Sequence, residues 1–110
     1  MQMRTENMGT DITVIHGTGR LNMVSAPKLR QAVDEAVGSG RPRVVVDLSE
    51  VEFMDSSGLG ALIGCLKSAR QAGGDLRIAA PTKQVTMVLK LSNLDRVLTS
   101  YDSAEAAYSA

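Results

Sequence analysis

Tryptophan is absent from this chain, phenylalanine occurs once and tyrosine twice, so aromatic residues make up only 3% of its 110 positions. Any core must be filled by Val, Leu, Ile, Ala and Met, which the 44% apolar content allows. So few rings also leave few stacking platforms for single-stranded nucleic acid. Neither sign of charge is in excess: twelve basic residues balance twelve acidic ones. Without a positive surplus there is little attraction for phosphate backbones or anionic lipid, and both are set aside as partners. Cys65 is the only cysteine, which rules out an internal disulfide and a thiolate zinc cage within one chain. No apolar run approaches a membrane span, and Met1-Gln2-Met3-Arg4-Thr5-Glu6 lacks the charged-then-apolar order of a signal peptide. The expectation is one soluble domain over residues 1–110, in the cytoplasm.

What is present alternates strands with helices. Arg4 to Asn7 forms a short strand, turning at Gly9-Thr10 into Asp11–His16, whose residues alternate with the period of a half-buried strand. Gly17-Thr18-Gly19 reads as a break. Ser25-Ala26-Pro27 then offers a capping hydroxyl and a first-turn proline to a helix whose apolar stripe is Leu29, Val33, Ala36 and Val37. Val44-Val45-Val46 with Leu48 is continuously apolar and β-branched, the pattern of a central strand buried on both faces. A polar turn at Ser49-Glu50 leads to Met54-Asp55-Ser56-Ser57-Gly58-Leu59-Gly60, from which Leu59, Leu62, Ile63 and Leu66 line one helical face. Leu76–Ala79 is a further strand, Pro81-Thr82 caps a helix carrying Val85, Val88 and Leu89, and Val97–Tyr101 is a last strand. Asp102 and Glu105 form a capping box for a terminal helix. The fold class implied is α/β, a mixed, mostly parallel sheet of about five strands with about four helices.

Asp55-Ser56-Ser57-Gly58-Leu59-Gly60, at a strand-to-helix junction, is the conspicuous local feature. One helix cap needs one side-chain oxygen, yet three consecutive polar side chains stand here. Gly58, Gly60 and Gly64 each weaken a helix by roughly 1 kcal/mol against Ala, which is expected where a low surface must let another backbone approach. A hydroxyl in the first turn of a helix also tolerates a phosphate, because the macrodipole and free N–H groups favour negative charge. Catalytic readings fail on spacing. A nucleophile elbow would need glycine at Met54 or Asp55, Gly58-x-Gly60-x-x-x-Gly64 misses the dinucleotide fingerprint, and a Walker lysine motif is missing. His16 stands alone as a histidine and reads as a strand-face residue rather than a metal ligand; Cys65 reads as helix packing. Arg41-Pro42-Arg43 reads as a solvated turn. No cofactor and no metal site is expected.

Val44-Val45-Val46-Asp47-Leu48-Ser49-Glu50-Val51-Glu52-Phe53-Met54-Asp55-Ser56-Ser57-Gly58-Leu59-Gly60 resembles the signature of STAS domains, in particular bacterial anti-anti-sigma factors, also called anti-sigma factor antagonists. The resemblance runs from Gly19-Arg20-Leu21-Asn22 through Gly73-Gly74-Asp75-Leu76 to Leu91-Ser92-Asn93-Leu94. It implies a non-enzymatic protein that, unphosphorylated, binds an anti-sigma factor and so frees a sigma factor. The anti-sigma factor implied is a serine kinase with a GHKL-type ATP site, which phosphorylates the serine directly after the aspartate; a PP2C-like phosphatase reverses the step. By motif position that serine is Ser56. Asp55, Ser56, Ser57, Gly58 and Leu59, with Gly19, Arg20 and Asn22 of the early turn, are the partner-binding residues the resemblance implies. The family often reads G-E-L-D at that turn, whereas this chain has a base at Arg20 and an amide at Asn22. A STAS scaffold or transport-accessory domain that needs no phosphorylation is the alternative.

Overall fold

The computed structural model describes residues 1–109. Its elements are β1 (Gln2–Met8), β2 (Ile12–Leu21), α1 (Ala26–Gly38), β3 (Arg43–Met54), α2 (Ser56–Gln71), β4 (Asp75–Ala79), α3 (Lys83–Leu91), β5 (Ser100–Tyr101) and α4 (Ala104–Ala107), with a 3-10 turn at Leu94–Arg96. The five strands lie in the order β1-β2-β3-β4-β5. β1 runs antiparallel to β2 and every other neighbouring pair is parallel, so the mixed, mostly parallel α/β sheet read from the sequence is the one formed. β3 is the middle strand, with Val44, Val45 and Val46 fully buried.

Two cores sit on opposite faces of the sheet. On one face Ile15, Val44, Val46, Leu48, Leu76 and Ile78 pack against the apolar stripes of α1, α2 and α3. On the other, Val14, Val45 and Ala79 are covered by Ala107 of α4. Leu29, Val33 and Ala36 are buried as their helical spacing predicts, and so are Leu59, Leu62 and Leu66; Val37 and Ile63 lie at the margin of the same core.

Several local expectations are corrected. Gly17-Thr18-Gly19 and Ser49-Glu50 do not break their strands: β2 and β3 run on, paired, to Leu21 and Met54. Register shifts between His16 and Thr18 and between Gly19 and Arg20 each place one extra residue in β3. These bulges explain why Leu48, Val51 and Met54 all point into the helix-side core at a spacing of three rather than two. Ser25 and Thr82 do not cap their helices forward. The Ser25 hydroxyl donates to the Arg20 carbonyl (2.8 Å) and that of Thr82 to the Val51 carbonyl (2.9 Å), tying each helix start back to a strand. The cap of α4 is Ser103, which accepts from the Ala106 N–H (3.2 Å), and not Asp102. The last strand shrinks to Ser100–Tyr101. Arg43 is no solvated turn residue, since it lies over the Tyr108 ring at 4.5 Å and pairs with Asp11.

Candidate functional site

β2 and β3 are parallel and end side by side, Leu21 opposite Met54, so the helices that follow both start at the same end of the sheet. The carboxyl ends of parallel strands are where α/β folds gather loops and helix N-termini into sites. Here the two segments are Gly19–Ser25, entering α1, and Asp55–Gly58, entering α2.

The turn at Asp55 is held by two groups distant in sequence, the Leu21 carbonyl and the Gln84 side chain. The Asp55 N–H donates to the Leu21 carbonyl (3.2 Å). The Gln84 side chain of α3 grips the preceding residue at both ends, its Oε1 accepting from the Met54 N–H (2.8 Å) and its Nε2 donating to the Met54 carbonyl (3.0 Å). Gly58 completes the seat, because a Cβ at that position would run into the Leu21 carbonyl. The Asp55 carboxylate then caps α2 by accepting from the Gly58 N–H (3.0 Å). Ser56 follows as the first residue of α2 with its side chain exposed, and Ser57 is half-buried. No acidic residue stands within the first turn, whereas Arg70 lies in the last, so the positive end of the helix dipole reaches Ser56 uncompensated except by Asp55.

The other segment is just as constrained. The Asn22 Oδ1 accepts from the N–H groups of Val24 (3.0 Å) and Ser25 (3.2 Å), and the Ser25 Oγ accepts from the Asn22 N–H (2.9 Å). This turn engages the Asn22 Oδ1 and leaves Met23 and Val24 73% and 79% exposed. Arg20 is exposed and stacks its guanidinium on Phe53, 4.4 Å from the ring centroid. Gly19 is at φ +107°, in the left-handed region that glycine tolerates.

Of the residues read from the sequence, Asp55, Ser56, Ser57, Gly19, Arg20 and Asn22 are gathered at this end of the sheet. Leu59 and Gly58 are there too but face inward, Leu59 only 8% exposed within the core and Gly58 against Leu21. The low glycine surface is corrected likewise. Gly58 is low for this chain's own Leu21 and Gly64 for the Arg30 guanidinium, and Gly60 alone has open space above it. Met23, Val24 and Gln84 escape a reading of the sequence. Exposed apolar residues beside an Asx-type turn are the available signal for the first two; nothing local marks Gln84, whose partner lies 30 residues away.

Elsewhere, Cys65 is buried, and burial pushes its thiol up to about 11, so it is a packing residue and not a thiolate at neutral pH. His16 stands on the sheet face that α1 and α2 leave open, its Nδ1 at 2.7 Å from Asp47 Oδ2 and its Nε2 at 2.8 Å from Glu6 Oε1. Burial opposes its charge, but the two carboxylates outweigh that and raise its pKa above 6.5. Among the described residues no group of three or more His, Cys, Asp or Glu side chains is arranged to hold a metal ion, and no helix is long and apolar enough to cross a membrane.

A profile of the STAS domain matches residues 5–107. The chain belongs to the STAS family. A Thermotoga maritima protein described as a candidate anti-sigma factor antagonist is 34% identical to this STAS domain over 98 residues, 88% of this chain and 87% of that one. The anti-sigma F factor antagonist of Paenibacillus polymyxa is 29% identical over 93 residues, covering 84% and 80% respectively. The crystal structure of an anti-sigma factor antagonist from Mycobacterium paratuberculosis superimposes with a TM-score of 0.84 at 28% identity, over 96% of this STAS domain and 89% of that chain. These relatives are named as regulators, not for a reaction.

Proposed function

We propose that this STAS domain is an anti-sigma factor antagonist. In its unphosphorylated form it binds an anti-sigma factor that is itself a GHKL-type serine kinase, and so frees a sigma factor. Phosphorylation at Ser56 turns binding off and a PP2C-like phosphatase restores it. The observation that carries this reading is the exposed Ser56 hydroxyl on the first residue of α2, seated by Leu21, Gln84 and the Asp55 cap. The names of the relatives support the same partner class. A phosphate there adds about −1.5 to −2 charges beside Asp55, where the helix dipole favours it, so the fold persists while the surface becomes more negative. Arg20, Asn22, Met23 and Val24 form the rest of the contact surface, and the domain acts as substrate and ligand rather than enzyme.

The test begins with affinity recovery of the partner, intact mass and phosphosite mapping, followed by titration of the purified pair. Ser56→Ala is expected to bind as the unmodified protein does and to escape phosphorylation. Ser56→Asp is expected to bind about tenfold or more weakly while unfolding within about 0.5 kcal/mol of the parent. Equal affinity for Ser56→Ala, Ser56→Asp and the phosphorylated protein would overturn the switch.

A further inference from the structure

β1 is the margin of the sheet, and among the described residues no strand lies beyond it. Its pairing with β2 is regular from Gln2 to Met8, without a bulge, and it contains no proline. Exposed edges of that kind are ordinarily blunted or covered. Here the two charged residues of the strand, Arg4 and Glu6, are of opposite sign and two positions apart, so they share one face. Glu6 is held in place by His16 at 2.8 Å, and Arg4 makes no ion pair among the described residues. If a second β1 pairs antiparallel about a twofold axis at Thr5, Arg4 stands opposite the partner's Glu6 and Glu6 opposite the partner's Arg4.

α1 repeats the arrangement about the same axis. A groove of about 530 Å³ between β1 and α1 is lined by Met3, Thr5, Lys28, Gln31 and Glu35 among others, and a second, of about 240 Å³, also joins Thr5 to Ala32 and Glu35. Thr5 therefore lies beside the middle of α1, with Lys28 about one turn to one side and Glu35 about one turn to the other. Twofold symmetry that sets Arg4 against Glu6 also brings Lys28 toward Glu35 of the other copy. Lys28 and Glu35 make no ion pair within the chain among the described residues.

We propose that this chain forms a twofold dimer by antiparallel pairing of β1 with β1 of a second copy, centred on Thr5, joining the two sheets into one. An isologous interface requires a self-complementary patch, and both charge pairs meet that requirement about a single axis. The inference stands apart from the regulatory reading of Ser56.

Sedimentation equilibrium of the whole chain, from about 1 μM to about 1 mM, tests it. The expected result is a species of twice the 11.7 kDa chain mass. Arg4→Glu sets like charges opposite one another at both symmetric contacts and is expected to weaken association about tenfold or more, as is Glu6→Arg. Mixing the Arg4→Glu and Glu6→Arg chains restores opposite charges, and the mixture is expected to associate within about threefold of the parent. Because Glu6→Arg also removes the His16 contact, Lys28→Glu serves as a variant away from the strand. It is expected to weaken the dimer while leaving circular dichroism, and the unfolding midpoint measured at concentrations where both chains are monomeric, unchanged. A single-chain mass throughout the range, or a dimer indifferent to both Arg4→Glu and Lys28→Glu, would overturn the proposal.

Discussion

The three glycines of α2 carry the same intrinsic penalty in a helix and have three different environments. At Gly58 a methyl group would enter the space of the Leu21 carbonyl, a backbone atom fixed in β2 by its pairing with β3, so relief requires moving α2 off the sheet. Gly58→Ala is expected to lower stability by about 1–3 kcal/mol. A methyl group at Gly60 would meet nothing within 4 Å, and the backbone there is ordinary helix, so Gly60→Ala is expected to raise stability by up to about 1 kcal/mol. Urea unfolding midpoints of the two variants check both signs. The pair also separates fold from contact: if Gly60 lies under the partner, Gly60→Ala unfolds later and binds more weakly, a combination that a purely structural role does not produce.

At the scale of elements, β1 is tied to the sheet by its backbone ladder and by the His16 bracket, which spans β1, β2 and β3 through Glu6 and Asp47. The raised pKa of His16 means that the bracket contributes fully below about pH 6.5, and that this contribution is lost as pH rises through the folded-state value. Asp47 behaves oppositely. Burial opposes its charge, but hydrogen bonds from the Ser49 N–H and His16 lower its pKa, so its contribution is present above about pH 3.8 and lost as pH falls through the lowered value. Stability from this cluster is therefore greatest between those limits. Unfolding midpoints measured from about pH 5 to about pH 8.5 are expected to decline at the upper end in the parent, and His16→Gln is expected to remove that decline. The sequence marks His16 as a strand-face residue by alternation alone, but its partners lie 10 and 31 positions away and depend on strand register. The same limit explains the misread turns. Helical stripes repeat locally and are legible, whereas a bulge shifts the inward face by one residue, and only the neighbouring strand reveals that Leu48, Val51 and Met54 belong together.

For the molecule as a whole, the two faces of the sheet are unequally protected. Three helices cover one; on the other, the short α4 and Tyr108 cover Val14, Val45 and Ala79. The Tyr108 hydroxyl is shared between the carbonyls of Val44 (3.0 Å) and Asp75 (2.8 Å), its ring lies beneath the guanidinium groups of Arg43 (4.5 Å) and Arg77 (4.3 Å), and Arg77 donates to the Ala107 carbonyl at 2.6 Å. Burial first, and then the neighbouring Asp75, push the Tyr108 pKa upward, so the phenol stays neutral and remains a donor at physiological pH. In a chain with so few aromatics, both tyrosines, Tyr108 and Tyr101, thus pack over the second core. The motif at Asp55–Gly60 is legible because its residues are consecutive; this closure is not, because Val44 and Tyr108 are 64 positions apart. Tyr108→Phe removes only the hydroxyl and is expected to cost about 1 kcal/mol, while Tyr108→Ala also uncovers the apolar cluster and is expected to cost about 3 kcal/mol or more. Urea unfolding measures both. Tyr108 packs with the cluster on the face away from α2, so Tyr108→Phe is expected to bind the recovered partner as the parent does. A variant that stays folded yet loses binding would mean that the two faces of the sheet are coupled through β3, the one strand that carries Val44 at its start and leads into Asp55 and Ser56 at its end.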